Sequence, residues 1–440
     1  MTRGTLGSQG CLRHVAFVIS AVLLLMMMCG EIAAAAPRVQ VVHLSGSHGV
    51  EFHQYLGERK EAFEKLNPNI EVVIEIVAGN YTEKVMLHVA SGSQVEVLDS
   101  THSFMVFAGK DMLADLAPYM RADKRSLDRD ILPFARQLLE QDGRLLGLPS
   151  QVYNVGGIFN QTLFNELGVV DPAALGDGWT WDALRNMAPK LVHTTPDGVT
   201  DRYAVYLSTS IQDMGPPVYQ AGGTLFDSFL NPQKSLLNTE PARLGLGFWA
   251  ELYQRGFASP FSAPNFFGKR SGCITLYGVS AYAAQYMRDV GDEFVAVLQP
   301  KGPARRGGHT FFGPYQVVSS SVQQQAAYKW IAFLALNEES QAKMMHATGR
   351  TPAYPPVLRR LEAYTSTDEP HIRHFLLQFR DVSIHADNFP HTLTAAEADI
   401  KRVFDGAFAE VRTGKRPFEG FLETVHPLAQ LALNQAHGVE

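Results

Sequence analysis

Cysteine is almost absent from this chain: three residues in 440, at positions 11, 29 and 273. Two lie in the first 36 residues, so once those are set aside Cys273 has no partner for an internal disulfide. The fold must then be held by core burial rather than cross-links. Charged residues make up 19% of the chain and the net charge is −6, which leaves no basic excess for a nucleic-acid partner. Beyond the amino terminus no apolar run reaches membrane-spanning length; the most apolar later stretch, 330–336, is broken at Asn337. Neither a Gly-x-Ser-x-Gly elbow nor a His-Glu-x-x-His pair occurs, which removes the commonest signatures of serine hydrolases and zinc peptidases. Only four tryptophans are present, at 179, 181, 249 and 330.

The amino terminus, by contrast, is rich in signal. Arg3 and Arg13 precede an apolar run over 15–28, followed by small residues at 33–36. This is the pattern of a secretory signal peptide, expected to span 1–35, with cleavage after Ala35. Cys29 raises a lipoprotein alternative, weakened because Met26, Met27 and Met28 stand where a lipid-attachment site wants small residues. The mature chain, about 405 residues, is too long for one core and predicts two lobes.

Periodicity predicts β-α-β-α-β at the start of the mature chain. Residues 39–44 form a short apolar run ended by a small polar loop, and Phe52, Leu56, Phe63 and Leu66 recur at helical spacing. The β-branched run 70–77 follows, then a helix opened by the Asn80/Glu83 capping box, and then a strand at 95–98. Such alternation implies a parallel sheet with right-handed crossovers, in which ligands sit beyond the carboxyl ends of strands. The loops 45–49 and 99–104 are therefore the first candidate site. Thr180 is the expected cap of a helix beginning at Trp181, and Gly349 the left-handed end of a helix from Glu338. No internal repeat is evident. Fifteen histidines do not form a metal-binding pattern: His43, His48 and His53 are spaced by five, and His371 with His374 has no further ligand beside it.

Six motifs in order resemble one family. They are FEKLNPNIEV (63–72), MLADLAPYM (112–120), GRLLGLPSQVYNVGGIFN (143–160), WTWDALRNMAPKL (179–191), YQAGGTLFD (219–227) and YKWIAFLALNEESQAKMMHATGRTPA (328–353). In these the chain is similar to the extracellular solute-binding proteins of ABC importers, in the carbohydrate-type family that includes maltose-binding protein. The resemblance implies an α/β fold of two lobes, each a mainly parallel sheet flanked by helices, joined by a hinge. It places lobe 1 at 36–148 plus 299–348 and lobe 2 at 149–298 plus 349–440.

It also implies a non-enzymatic, periplasmic protein without cofactor, expected to be a monomer. Such a protein captures a small sugar or polyol between its lobes and delivers it to the membrane permease. A phosphorylated polyol such as glycerol phosphate is the alternative, since a guanidinium matches phosphate. A secreted carbohydrate-active enzyme is the distant rival, because paired carboxylates are spatial and not visible in spacing.

Family position points to Ser47, His48, Tyr81, Asp99, Ser100 and His102 from the first lobe. From the second it points to Tyr153, Asn154, Tyr219, Gly222, Gly223, Tyr277 and Gly278. The return segment GGHTFFGPY (307–315) adds His309, with Phe311 or Phe312, since alternate strand residues face opposite ways. Arg350 follows the cap at Gly349. Trp181 and Trp330 fall on structural landmarks and Trp249 in an amphipathic helix, so the usual tryptophan platforms for sugar rings are expected to be missing. That favours a mono- or disaccharide over a long oligosaccharide.

Overall fold

A computed structural model describes residues 38–46, 48–100, 102–154, 156–260, 269–278 and 280–439. The expected signal segment, Cys29 and Ser47 lie outside the described residues. Among the described residues no helix is long and apolar enough to cross a membrane.

Strands β1 (Val39–Ser45) and β2 (Ile70–Ile76) pair in parallel from Val39↔Ile70 to Ser45↔Ile76, and β3 (Val97–Leu98) pairs in parallel on the other edge of β1. The helices between them form where the sequence predicts. The first runs Val50–Leu66 and stops at the Asn67 cap; the second runs Tyr81–Ala90, with the Asn80 side chain accepting from the Glu83 N–H. A hairpin, β4 (Glu140–Gln141) and β5 (Arg144–Leu145), precedes β6 (Leu148–Asn154), which carries the chain out of the first sheet.

The second sheet has the order β11-β7-β10-β9-β8, with β7 (Gly156–Asn160), β8 (His193–Thr194), β9 (Thr200–Tyr206), β10 (Gly272–Gly278) and β11 (Phe294–Val297). There β10 and β9 are parallel, and β7 runs antiparallel to both β10 and β11. The chain returns along β12 (His309–Val317), which lies antiparallel to β6 and β3. Two short strands complete the first sheet: β13 (Thr351–Pro352) on β6, and β14 (Phe389–Pro390) on β12.

Two large cores follow this division. One gathers Val41, Leu44, Phe63, Val97, Leu148, Val317 and Trp330; the other gathers Phe159, Trp181, Leu246, Ile274, Phe404 and Phe421. A smaller third core packs Ile158 and Ala284 against Phe375 and Phe379 of helix Pro370–Ser383. One boundary differs from expectation. Tyr354, Val357 and Leu361, assigned in sequence to lobe 2, belong to the first core, because the chain after Gly349 folds back onto helix Glu338–Thr348 instead of leaving it. Leu393 also joins the first core while Ala396 joins the second, so the segment around 393–396 is a further passage between the lobes beside β6 and β12.

Packing explains two glycines. A Cβ on Gly245, in helix Glu240–Gln254, would stand 2.5 Å from the Pro217 carbonyl carbon and the Val218 nitrogen. Two helices meet backbone to backbone there, and a side chain would part them. Gly349 closes helix Glu338–Thr348 at φ 66°, as its position in the sequence predicts.

Candidate inter-lobe site

The carboxyl end of β1 leads into the loop 45–49 and that of β3 into 99–103, so both loops emerge at one edge of the first sheet. Asp99 organises them. Its carboxylate accepts from Ser45 Oγ at 2.6 Å and from the Gly46 N–H at 2.7 Å, and His48 Nε2 lies 3.0 Å from its Oδ1. Burial opposes the charge on Asp99, yet His48, His43 and these donors hold it well below the usual carboxylate range. His48 is shifted upward: burial works against its charge, and Asp99 outweighs both that and the nearby Arg350.

Several expected ligand contacts are committed within the protein. The Tyr81 hydroxyl donates to the Leu44 carbonyl at 2.6 Å and accepts from the Asp99 N–H at 3.1 Å, tying helix to strand ends. Asp99 is itself buried. Ser100 bonds Ser103 Oγ, and its carbonyl accepts from Gln316 of β12. Arg350 donates to the His48 carbonyl at 2.6 Å and to Gln151 Oε1 at 3.1 Å, with its guanidinium over the Phe52 ring. It therefore joins the first-lobe loop to the crossing strand β6.

In the second lobe, the Tyr219 ring is stacked on Phe389 at 4.2 Å, with the Arg305 guanidinium 4.5 Å from its centroid, so this expected sugar platform is already covered. Gly222, at φ 99°, and Gly223 end helix Gly215–Gln220. Their N–H groups donate to Tyr219 and Val218, and a Cβ on Gly223 would strike Pro241 at 2.6 Å, so close packing accounts for the pair. Tyr277 is half-buried, edge-on to Tyr206. His309 is buried on β12, and burial drives its pKa down to about 3; it neighbours His391, whose ring centroid is 5.0 Å away. In the β6–β12 register Phe311 faces Tyr153 and Phe312 faces Val152; the side chains of Tyr153, Asn154, Phe311 and Phe312 lie outside the described set.

His102 reaches the opposite lobe. Its Nδ1 lies 2.6 Å from Oε1 of Glu397, the first residue of helix Glu397–Arg412 in the second core. Burial disfavours its charge, but the hydrogen bond and field of Glu397 prevail and raise its pKa. Behind Glu397 stands a charged group that the sequence reading missed. Lys401 bonds Asp405 at 2.5 Å and Ser210 at 2.7 Å, and Asp405 accepts from the Ile211 N–H. Ser208 Oγ donates to Asp213 at 2.6 Å, and burial pushes the Asp213 carboxyl up to about 6. Ser208, Ser210, Ile211 and Asp213 sit on the loop that follows β9, and Lys401 and Asp405 on helix Glu397–Arg412. The strand-end rule that located 45–49 and 99–104 would have found that loop had it been applied to the second sheet. A small cavity of about 30 Å³ lies beside it, lined by Ile211, Phe226, His309, Phe389, His391 and Glu397. Among the described residues no group of three metal-ligating side chains converges.

All four tryptophans are buried, at 5% exposure or less, and three have indole partners: Trp179 donates to the Leu298 carbonyl, Trp181 to Gln220, and Trp330 to His43. None is free to serve as a platform for a sugar ring.

A family model described as bacterial extracellular solute-binding protein matches residues 46–341. A search of curated protein sequences finds no significant match. Among solved structures, the chain is similar to an ABC substrate-binding protein from Listeria monocytogenes in complex with cycloalternan. The TM-score is 0.76 at 19% identity, over 92% of this chain and 100% of that one. It is similar also to the cyclic alpha-maltosyl-1,6-maltose binding protein from Arthrobacter globiformis (TM-score 0.72, 18% identity, 90% and 100% covered). A third is the sugar-binding protein MalE from Xanthomonas citri (TM-score 0.72, 18% identity, 90% and 98% covered). At these identities the likeness is one of fold.

Proposed function

The chain belongs to the bacterial extracellular solute-binding protein family, and from that premise we propose that it captures a small sugar or polyol between its lobes for an ABC importer. The family consists of exported binding proteins rather than enzymes, and the account requires no cofactor. The permease of the importer is the proposed partner, the segment 1–35 the proposed export signal, and the periplasm the proposed site of action, with the chain acting as a monomer.

The observation that carries this reading is the contact between the lobes. The loop after β3 meets the start of helix Glu397–Arg412, with His102 and Glu397 in contact and the charges of Asp213 and Lys401 acting on His102. Polar groups of both lobes thus come together there, which supports a site for a solute covered with hydroxyls. Binding then proceeds by docking on one lobe and closing of the other, a population shift driven by contacts available only in the closed form.

The structural neighbours are named for sugars, which supports a carbohydrate ligand; cycloalternan and the maltosyl-maltose ring are oligosaccharides. Burial of every tryptophan favours a shorter ligand here, a mono- or disaccharide. Engagement of Arg350 by Gln151 and the His48 carbonyl favours an uncharged sugar over a phosphorylated polyol. A thermal-shift screen of sugars, polyols and glycerol phosphate tests this reading, because a ligand that binds only the folded form raises the midpoint by mass action. Stabilisation by a mono- or disaccharide is expected; stabilisation by glycerol phosphate alone would replace the sugar reading with the phosphorylated one.

A further inference from the structure

We propose that Trp330 and His43 are positioning residues for the solute site. Through Asp99 they hold the His48 ring with Nε2–H turned into the first lobe, leaving Nδ1 for the solute. The proposal rests on the reading that a solute binds between the lobes.

The chain of reasoning begins in the core. Trp330 is fully buried, and an indole N–H can only donate; it points to His43 Nδ1 at 3.2 Å. His43 Nδ1 must then be an acceptor, so the neutral ring carries its proton on Nε2. That atom lies 3.2 Å from Asp99 Oδ2, close in distance though not aligned as a hydrogen bond. His43 has no exposed surface and sits on β1, paired with Ile74 and Val97, so it offers no surface to a solute itself.

Asp99 passes the constraint outward. With Ser45 Oγ, the Gly46 N–H and the His43 ring around it, the carboxylate is anionic and can only accept. His48 Nε2, 3.0 Å from both Asp99 Oδ1 and the Asp99 carbonyl oxygen, must therefore be the donor. The far side of the imidazole is set by default. Neutral His48 offers Nδ1 as an acceptor, and protonated His48 offers it as a donor. A hydroxyl satisfies either form, whereas a carbonyl or carboxylate satisfies only the second. Asp99 favours the charged form of His48; Arg350, whose guanidinium bonds the His48 carbonyl, disfavours it; and the Phe52 ring packs edge-on at 5.0 Å. The outcome is a contact that serves a neutral polyol across a wide pH range, ordered from a tryptophan in the core.

The test is NMR on the intact protein with isotope-labelled histidine. It is run without sugar and then with glucose, maltose and glycerol phosphate in turn, for the wild type, His43→Gln and His43→Leu. Glutamine keeps an acceptor for Trp330 and a donor for Asp99; leucine keeps neither. In the neutral form of each ring, His43 and His48 are both expected as single Nε2–H tautomers. A probe that binds should move the His48 Nδ1 resonance. His43→Leu should displace the His48 Nε2 resonance, because Asp99 loses the ring beside its Oδ2, and should give roughly tenfold weaker sugar binding, while His43→Gln should restore both. An Nδ1–H tautomer at His48 would overturn the proposal. So would an unmoved Nδ1 in a sugar complex, or a His43→Leu protein with wild-type His48 resonances and affinity. If no probe binds, the sugar-free tautomers alone decide the matter, so the substrate reading can fail separately.

Discussion

His102 Nδ1 and Glu397 Oε1 stand 2.6 Å apart, one on the loop after β3 in the first core and the other at the head of a helix in the second. On the proposed reading the two bodies part to admit a solute, and a contact that exists only when they are together biases them toward closure.

Replacing Glu397 with Gln should therefore weaken sugar binding, and by a modest amount. His102 is 57% exposed, and solvent screens such pairs, so about a two- to fivefold loss is expected. The sign of the pH dependence follows from the upward shift of His102. The pair contributes fully below the ordinary imidazole value near 6.5 and fades as pH rises through the raised value. Calorimetric titration at about pH 6 and about pH 9 should show the wild type and the variant converging at the higher pH. A constant ratio between them would dissociate the pair from closure.

Asp213 runs the opposite way to a paired carboxylate. Its folded pKa of about 6 lies above the unfolded value, so the folded protein binds the proton more tightly. Stability is then greatest below the unfolded pKa and falls as pH rises from about 4 through 6, by on the order of 2–3 kcal/mol. Asp213→Asn should remove most of that slope and raise the unfolding midpoint at neutral pH, measured by calorimetry over a pH series.

The covered ring of Tyr219 leads to a stability prediction rather than a binding one. Tyr219→Ala deletes a stack on Phe389 and a cation contact with Arg305, and should cost about 2–3 kcal/mol in urea unfolding. Wild-type stability combined with lost sugar binding would return Tyr219 to the ligand surface.

Two helix glycines should respond with opposite sign. Gly245→Ala drives a methyl into the Pro217–Val218 backbone and should destabilise by about 3 kcal/mol or more. Gly406, in helix Glu397–Arg412, has nothing within 4 Å of its absent Cβ, so Gly406→Ala should stabilise by about 0.5–1 kcal/mol. Paired urea denaturation curves measure both.

What the sequence made legible was local. The alternation through β1, β2 and β3, the caps at Asn80, Thr180 and Gly349, and the structural placing of Trp181 and Trp330 all follow from short-range spacing or side-chain chemistry. Residues whose place depends on distant chain were not legible. Glu397 meets His102 across 295 positions, and Phe389 pairs with His309 of β12 from far along the chain. Tyr219 was legible as an aromatic but not as a covered one, since Phe389 and Arg305 come from elsewhere in the chain. Tyr81 likewise carries the right chemistry for a ligand, and only the fold reveals that Leu44 and Asp99 have claimed its hydroxyl.

The central claim is that the two lobes close on a small sugar and leave it unchanged. Small-angle scattering of the full protein during titration with glucose and with maltose, followed by chromatography of the recovered sugar, tests it most directly. The account predicts a smaller radius of gyration at saturation, one sugar per chain, and recovery of the sugar intact. An unchanged radius with every sugar, or recovery of cleaved product, would contradict it.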